Sequence, residues 1–268
     1  MLKLFDSHAH YFDKWFSTAE DFQGVDTLLE NDVFGGEVCG VINVGTSNKN
    51  NIICIEQAAK YDKMYAAVGI HPEDVEADRD ISEEIERLSE LIDTEEKRRA
   101  AKIVALGEIG LDYHYEGFDK ELQQKYFDRQ MELATELDIP VIIHDREAHG
   151  DCFETVLRYP KVRGVFHSYS GSVEMARELV KRGWYISFSG VITFKNARKA
   201  VEVAESVTME RILIETDCPY LAPHPHRGKM NHSGLMRYTA EKLAEIKGVS
   251  LEEIADQTFN NAKKLFSI

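Results

Sequence analysis

Short apolar runs alternate with longer amphipathic stretches along the whole chain. Eight runs are compact, and most are rich in Val and Ile: residues 2–8, 38–44, 64–68, 103–108, 139–144, 164–167, 184–188 and 211–215. Runs of this length and composition predict strands buried on both faces, as in a parallel sheet. The stretches between them predict helices. Residues 48–61 carry apolar positions at Ile52, Ile55 and Ala59. Residues 81–99 are acidic first and basic last, which suits a helix dipole. Residues 119–137 place Phe127, Met131 and Ala134 on a helical period, with Leu122, Tyr126, Leu133 and Leu137 widening the stripe. Further helices are expected at 173–181, stopped by Gly183, and at 195–204, 235–247 and 251–267. Eight strands in alternation with helices predict an α/β fold, a (β/α)8 TIM barrel forming a single domain over residues 1–268. An open doubly wound sheet is the runner-up, but no G-x-G-x-x-G follows the first strand.

The 268 residues are 43% hydrophobic, enough for a substantial core. No apolar run approaches the length of a membrane span. Acid and histidine arrive within the first eight residues, before the apolar region of a signal peptide could form. A cytoplasmic monomer with no membrane partner is therefore expected. Cys39, Cys54, Cys152 and Cys218 form no C-x-x-C pair and read as reduced thiols. Cys218 reads as a small buried filler. The net charge of −15 repels polyanions overall, so nonspecific adhesion to nucleic acid is not expected. A nucleic-acid substrate stays open, because bound divalent cations would supply positive charge locally.

Polar residues terminate several of the predicted strands. The first ends in His8-Ala9-His10, and in a strand positions i and i+2 face the same side. The fourth ends in Gly107-Glu108, the fifth in Ile143-His144, the sixth in Phe166-His167 and the eighth in Glu215-Thr216-Asp217. In a TIM barrel these ends converge on the face that carries catalytic residues. Four histidines and two carboxylates (His8, His10, Glu108, His144, His167 and Asp217) are too many for one catalytic ion. They suit two divalent metals bridged by a carboxylate. Imidazoles favour Zn or a similar transition metal, and carboxylates also admit Mn or Mg. Glu108 is the expected bridge. Asp217 is expected to bind one metal and take the proton of an attacking water.

The segments Asp6-Ser7-His8-Ala9-His10, Gly69-Ile70-His71-Pro72, Gly107-Glu108-Ile109-Gly110-Leu111-Asp112-Tyr113, Pro140-Val141-Ile142-Ile143-His144, His167-Ser168-Tyr169-Ser170-Gly171 and Glu215-Thr216-Asp217-Cys218-Pro219-Tyr220-Leu221 carry a resemblance. In order and spacing they resemble the TatD family of metal-dependent hydrolases, from residue 6 to about residue 231. The resemblance implies an amidohydrolase-like TIM barrel in which a glutamate replaces a carbamylated lysine. It implies His8, His10, Glu108 and Asp217 around one metal, and Glu108, His144 and His167 around the other. It also implies phosphodiester hydrolysis of DNA with 3′–5′ exonuclease character. Two departures stand out. His167-Ser168-Tyr169-Ser170-Gly171 replaces the frequent H-C-F-S-G, and Arg227-Gly228-Lys229-Met230-Asn231-His232-Ser233 replaces R-G-K-R-N-E-P.

Other residues fall on the same predicted face. The resemblance implies that His71 donates a hydrogen bond to a phosphate oxygen or leaving group. Alternatively it is a loop histidine ordered by Pro72. Arg146 could clamp a phosphate or pair with Asp145 or Glu147. His226, Arg227 and Lys229, on a Pro-rich loop, could meet phosphate or be no more than exposed-loop charge. Tyr113 and Tyr169 could stack on a base or wall a pocket. Asp112 and Glu215 either orient ligand histidines or face solvent. The same fold and metals could instead open a small amide, lactone or ester, or serve a non-enzymatic metal-binding scaffold. DNA, RNA, an aminoacyl-tRNA and a small phosphoester all stay open as the substrate.

Overall fold

The computed structural model describes residues 2–18 and 24–268. Eight parallel strands form one sheet in sequence order. They are β1 (Leu4–Ala9), β2 (Val38–Val44), β3 (Met64–Val68), β4 (Ile103–Asp112), β5 (Val141–Arg146), β6 (Gly164–Phe166), β7 (Tyr185–Phe188) and β8 (Ile212–Ile214), with helices between them. Ala9 pairs in parallel with Cys218 just beyond β8, so the last strand returns to the first. This is the connectivity of the expected (β/α)8 barrel. The chain divides into two compact units, residues 1–43 with 167–268, and residues 44–166.

In the first unit β1 pairs with β2 through Leu4↔Val38 and Asp6↔Val41. β7 pairs with β8 through Ile186↔Ile212 and Phe188↔Ile214. All six residues of β1 are buried, so Asp6 and His8 must find polar partners inside. The helices Met236–Lys247 and Leu251–Phe266 bury Leu243, Ile254 and Leu265. The second of them opens with a capping box between Ser250 and Glu253.

In the second unit β3, β4, β5 and β6 pair in order, with Ala67↔Ala105, Ile109↔Ile143 and Ile142↔Val165 in register. The helix Lys120–Leu137 starts where Asp119 accepts the Leu122 N–H at 2.9 Å. It buries the expected Phe127, Met131 and Ala134. β4 and β5 run further than their apolar runs suggest, to Asp112 and Arg146. Gly110 makes this extension possible. Its φ is +145°, and a Cβ there would sit 2.0 Å from the His144 carbonyl oxygen. Only glycine lets β4 lie this close beside His144.

Three expectations need correction. The helix expected over 81–99 is two helices, Ile81–Ile92 and Glu95–Ala100. Thr94 breaks the run by turning its hydroxyl onto the Lys97 N–H at 3.2 Å, an N-cap inside the charged stretch. The helix Asn48–Lys60 buries Asn51, Cys54 and Ala58, not Ile52, Ile55 and Ala59. Ile52 is 44% exposed. The face is rotated because the Asn51 amide is drawn inward to bond both backbone groups of Gly69, at 3.1 Å each. The helix expected over 195–204 begins only at Arg198, after a turn of 3-10 helix at Gly190–Thr193. A helix the pattern did not announce, His149–Arg158, buries only Cys152, Thr155 and Val156, too sparse a stripe to read.

Candidate metal-binding clusters

In the first unit His8 and His10 leave β1 on one side, as the alternation requires. Their Nε2 atoms lie 3.0 Å apart. Asp217, just past β8, places Oδ1 3.3 Å from His10 Nε2 and 3.7 Å from His8 Nε2. The His167 ring stacks on His8 with centroids 4.0 Å apart and 14° between planes. One donor atom from each of His8, His167 and Asp217 falls within 4.8 Å of the others. Burial opposes ionisation of Asp217, but the His10 hydrogen bond and the neighbouring His167, His8 and His10 more than offset it, so its pKa is lowered. Glu215 is fully buried and accepts the Ser168 N–H at 2.7 Å and faces His167 Nδ1 at 3.2 Å. A proton on Nδ1 held by Glu215 would fix the orientation and tautomer of the His167 ring. Asp217 and Ser168 both take left-handed φ, 56° and 38°. Such backbone costs energy and concentrates at functional sites.

In the second unit Glu108 and His144 leave the neighbouring strands β4 and β5. His144 Nδ1 lies 2.7 Å from Glu108 Oε1, and its Nε2 lies 2.9 Å from Asp112 Oδ2. Burial raises the Asp112 pKa, but hydrogen bonds from His144 and the His114 backbone overcome it, and Asp112 ends well below the usual carboxylate range. Each nitrogen of the His144 ring thus faces a carboxylate oxygen, Glu108 on one side and Asp112 on the other. His71 Nε2 sits 3.5 Å from the same Glu108 oxygen. The donors of His71, Glu108 and His144 also lie within 4.8 Å of one another. In each unit, then, imidazole and carboxylate donors converge, the donor chemistry of a divalent-metal site.

The chain has a clear set of relatives. Residues 5–267 match the family described as TatD related DNase. The chain belongs to the TatD family. It is 41% identical over 271 residues to YabD of Bacillus subtilis (strain 168), an uncharacterized metal-dependent hydrolase, with 99% of each chain covered. YcfH of Escherichia coli (strain K12), named likewise, is 45% identical over 182 residues, 66% of this chain and 68% of that one. The crystal structure of YjjV, a TatD homolog from Escherichia coli K12, superposes with a TM-score of 0.85 at 29% identity, covering 99% of this chain and 98% of that one. This chain is thus a metal-dependent hydrolase of TatD type.

In this TatD chain His71 caps the 3-10 turn Pro72–Asp74. Its Nδ1 accepts the Glu73 N–H at 3.1 Å, so a neutral ring carries its proton on Nε2. Asp112 and Glu215 do not face solvent; they are 1% and 0% exposed and touch His144 and His167. Arg146 pairs with neither Asp145 nor Glu147, which take His149 and His114. It lies over the Tyr115 ring, 3.9 Å from Asp112 Oδ2. His226 is engaged with the Tyr238 hydroxyl at 3.1 Å, and Arg227 covers the Phe194 ring. Tyr169 is buried and donates to the Ser172 carbonyl. Tyr113 is half-buried against Phe118 and donates to Asp151. Cys218 is buried, as a filler should be, and burial pushes its thiol pKa up.

Residues missed in the sequence hold the clusters in place. Gln123 bonds both backbone groups of Asp112, at 3.0 and 2.9 Å. Gln130 does the same for Ile70, at 2.8 and 3.0 Å. With Asn51 on Gly69, three amides fix the strand ends that present His71 and Asp112. A usable signal existed, since Gln123 and Gln130 interrupt the apolar stripe of one helix at i and i+7. Asp6 was the other omission. Its Oδ2 accepts hydroxyls of Thr216 and Ser233 at 2.6 Å each.

Proposed function

We propose that this chain hydrolyses phosphodiester bonds of DNA. On this reading His8, His10, Glu108, His144, His167 and Asp217 hold two divalent cations. Held there, Zn, Mn or Mg would lower the pKa of water toward neutrality and offset phosphoryl charge. Asp217 stays ionised, because the three histidines lower its pKa, and takes the proton of the attacking water. His71 presents Nε2–H to the phosphoryl or leaving oxygen as charge builds there. Arg146 supplies a guanidinium to a non-bridging oxygen. His226 and Arg227 reach the strand further along its backbone.

The observation that carries the reading is the pairing of metal-type donors with a proton-bearing His71 in the second unit. The DNase description of the matched family supports DNA as the substrate. The test is an end-labelled single-stranded oligonucleotide, incubated with metal-loaded protein, chelated protein and Glu108→Ala. Cleavage confined to the loaded wild type supports the proposal. Equal cleavage by all three would sink it, and turnover of small amides or lactones far above that of DNA would replace it with the amidohydrolase reading.

The orienting carboxylates give a separate expectation. Asp112→Asn should weaken metal binding by about 10- to 100-fold, because His144 loses the partner that fixes its tautomer. Titration of the apo protein with Zn or Mn, followed by calorimetry, would measure it. Unchanged affinity would remove Asp112 from this role.

A further inference from the structure

A cavity of 470 Å³ opens in the second unit beside the His71, Glu108 and His144 cluster. Its lining includes Glu73, Asp112, Tyr115, Glu116, Phe118 and Asp119. Two of these touch the cluster: Glu73 donates its backbone N–H to His71, and Asp112 faces His144. An occupant therefore sits directly beside the proposed reacting groups. The volume lies in the range of small-molecule sites. Four carboxylates among the lining residues repel a phosphate and favour a neutral occupant that carries N–H donors. Tyr115 and Phe118 are 54% and 40% exposed. Neither ring is loose. Arg146 lies 5.1 Å from the Tyr115 centroid, and Phe118 stacks on Tyr113 with centroids 4.7 Å apart at 11°.

Held aromatic rings beside hydrogen-bond acceptors match a flat heterocycle whose face stacks and whose edge donates. A nucleobase has that shape, and carboxylates accept well from an exocyclic amine. We infer that this cavity receives the base of the nucleotide next to the scissile bond and selects bases that carry an exocyclic amine. Adenine, cytosine and guanine qualify; thymine does not. The inference rests on the phosphodiesterase reading of the adjoining cluster.

Phe118→Ala and Glu116→Gln are suitable probes, because both residues are exposed on a loop. Steady-state kinetics would use metal-loaded protein and oligonucleotides ending in adenine, cytosine, thymine or no base. Phe118→Ala should raise KM about ten-fold on every base-bearing end, leave kcat alone and leave the abasic end unaffected. Wild type should favour adenine and cytosine over thymine by about five-fold, and Glu116→Gln should shrink that ratio. Equal losses on the abasic end, or no base preference in wild type, would overturn the inference. Binding of adenosine and thymidine, followed by NMR, separates the two readings. Phe118-dependent binding of adenosine over thymidine without DNA cleavage keeps the cavity assignment and defeats the phosphodiesterase reading. Cleavage that ignores the base, with neither nucleoside bound, does the reverse.

Discussion

Asp217→Asn is expected to lower kcat on a phosphodiester by about a thousand-fold, the range for loss of a positioned general base. The side chain keeps its shape but loses its charge and its basic oxygen. The substitution is clean for the backbone. Asp217 has φ of 56°, a left-handed conformation that Asn tolerates better than most residues. The effect should therefore come from chemistry, not from a refolded loop. Asp217 also stands 3.3 and 3.7 Å from the Nε2 atoms of His10 and His8, so it acts both as metal donor and as proton acceptor on the proposed reading. Metal analysis of the variant separates the two roles. Full metal content with lost kcat makes the proton transfer decisive. Loss of one equivalent makes ligation decisive. A kcat within about three-fold of wild type would exclude both.

The residues at strand ends were legible because their signal is local. Each sits where a short strand-forming run stops, and a polar residue at that point has few uses in a buried strand. The family motifs around them are equally local, and so the TatD membership and the barrel could be read ahead of the coordinates. What stayed hidden depends on distance through space. Nothing in the sequence says that Gln130 will bond the backbone of Ile70, sixty positions earlier. Nothing near Asn51 says that its amide will turn a helix so that Ile52 faces out. Propensity and periodicity score the helix; the unpaired backbone of Gly69 decides its rotation. The same reasoning applies to His226 and Arg227: nothing local to them says that Tyr238 and Phe194 will approach from elsewhere in the chain.

Asp6→Ala is expected to cost about 4 kcal/mol of folding stability, and Asp6→Asn only about 1. Asp6 is fully buried and serves four donors. Oδ1 accepts the backbone N–H of His8 at 3.2 Å and of Thr216 at 3.0 Å. Oδ2 accepts the hydroxyls of Thr216 and Ser233. Alanine strands the two N–H groups, which cannot turn away, whereas the hydroxyls can. Ser233 has the Tyr11 hydroxyl at 2.7 Å as a ready alternative. Asparagine keeps an oxygen for the N–H pair and offers its NH2 to the hydroxyl oxygens. The pH dependence gives an independent check. Burial outweighs these hydrogen bonds and raises the Asp6 pKa from 3.8 to about 7. Between those values the folded chain holds a proton that the unfolded chain has released. The contribution of Asp6 is therefore full below about pH 4 and falls as pH rises toward about 7. Asp6→Asn has no such proton, so its stability relative to wild type should improve from about pH 5 to about pH 7. Urea unfolding of metal-free samples at both values would show it, and a difference that does not change with pH would mean that Asp6 is charged in the fold throughout.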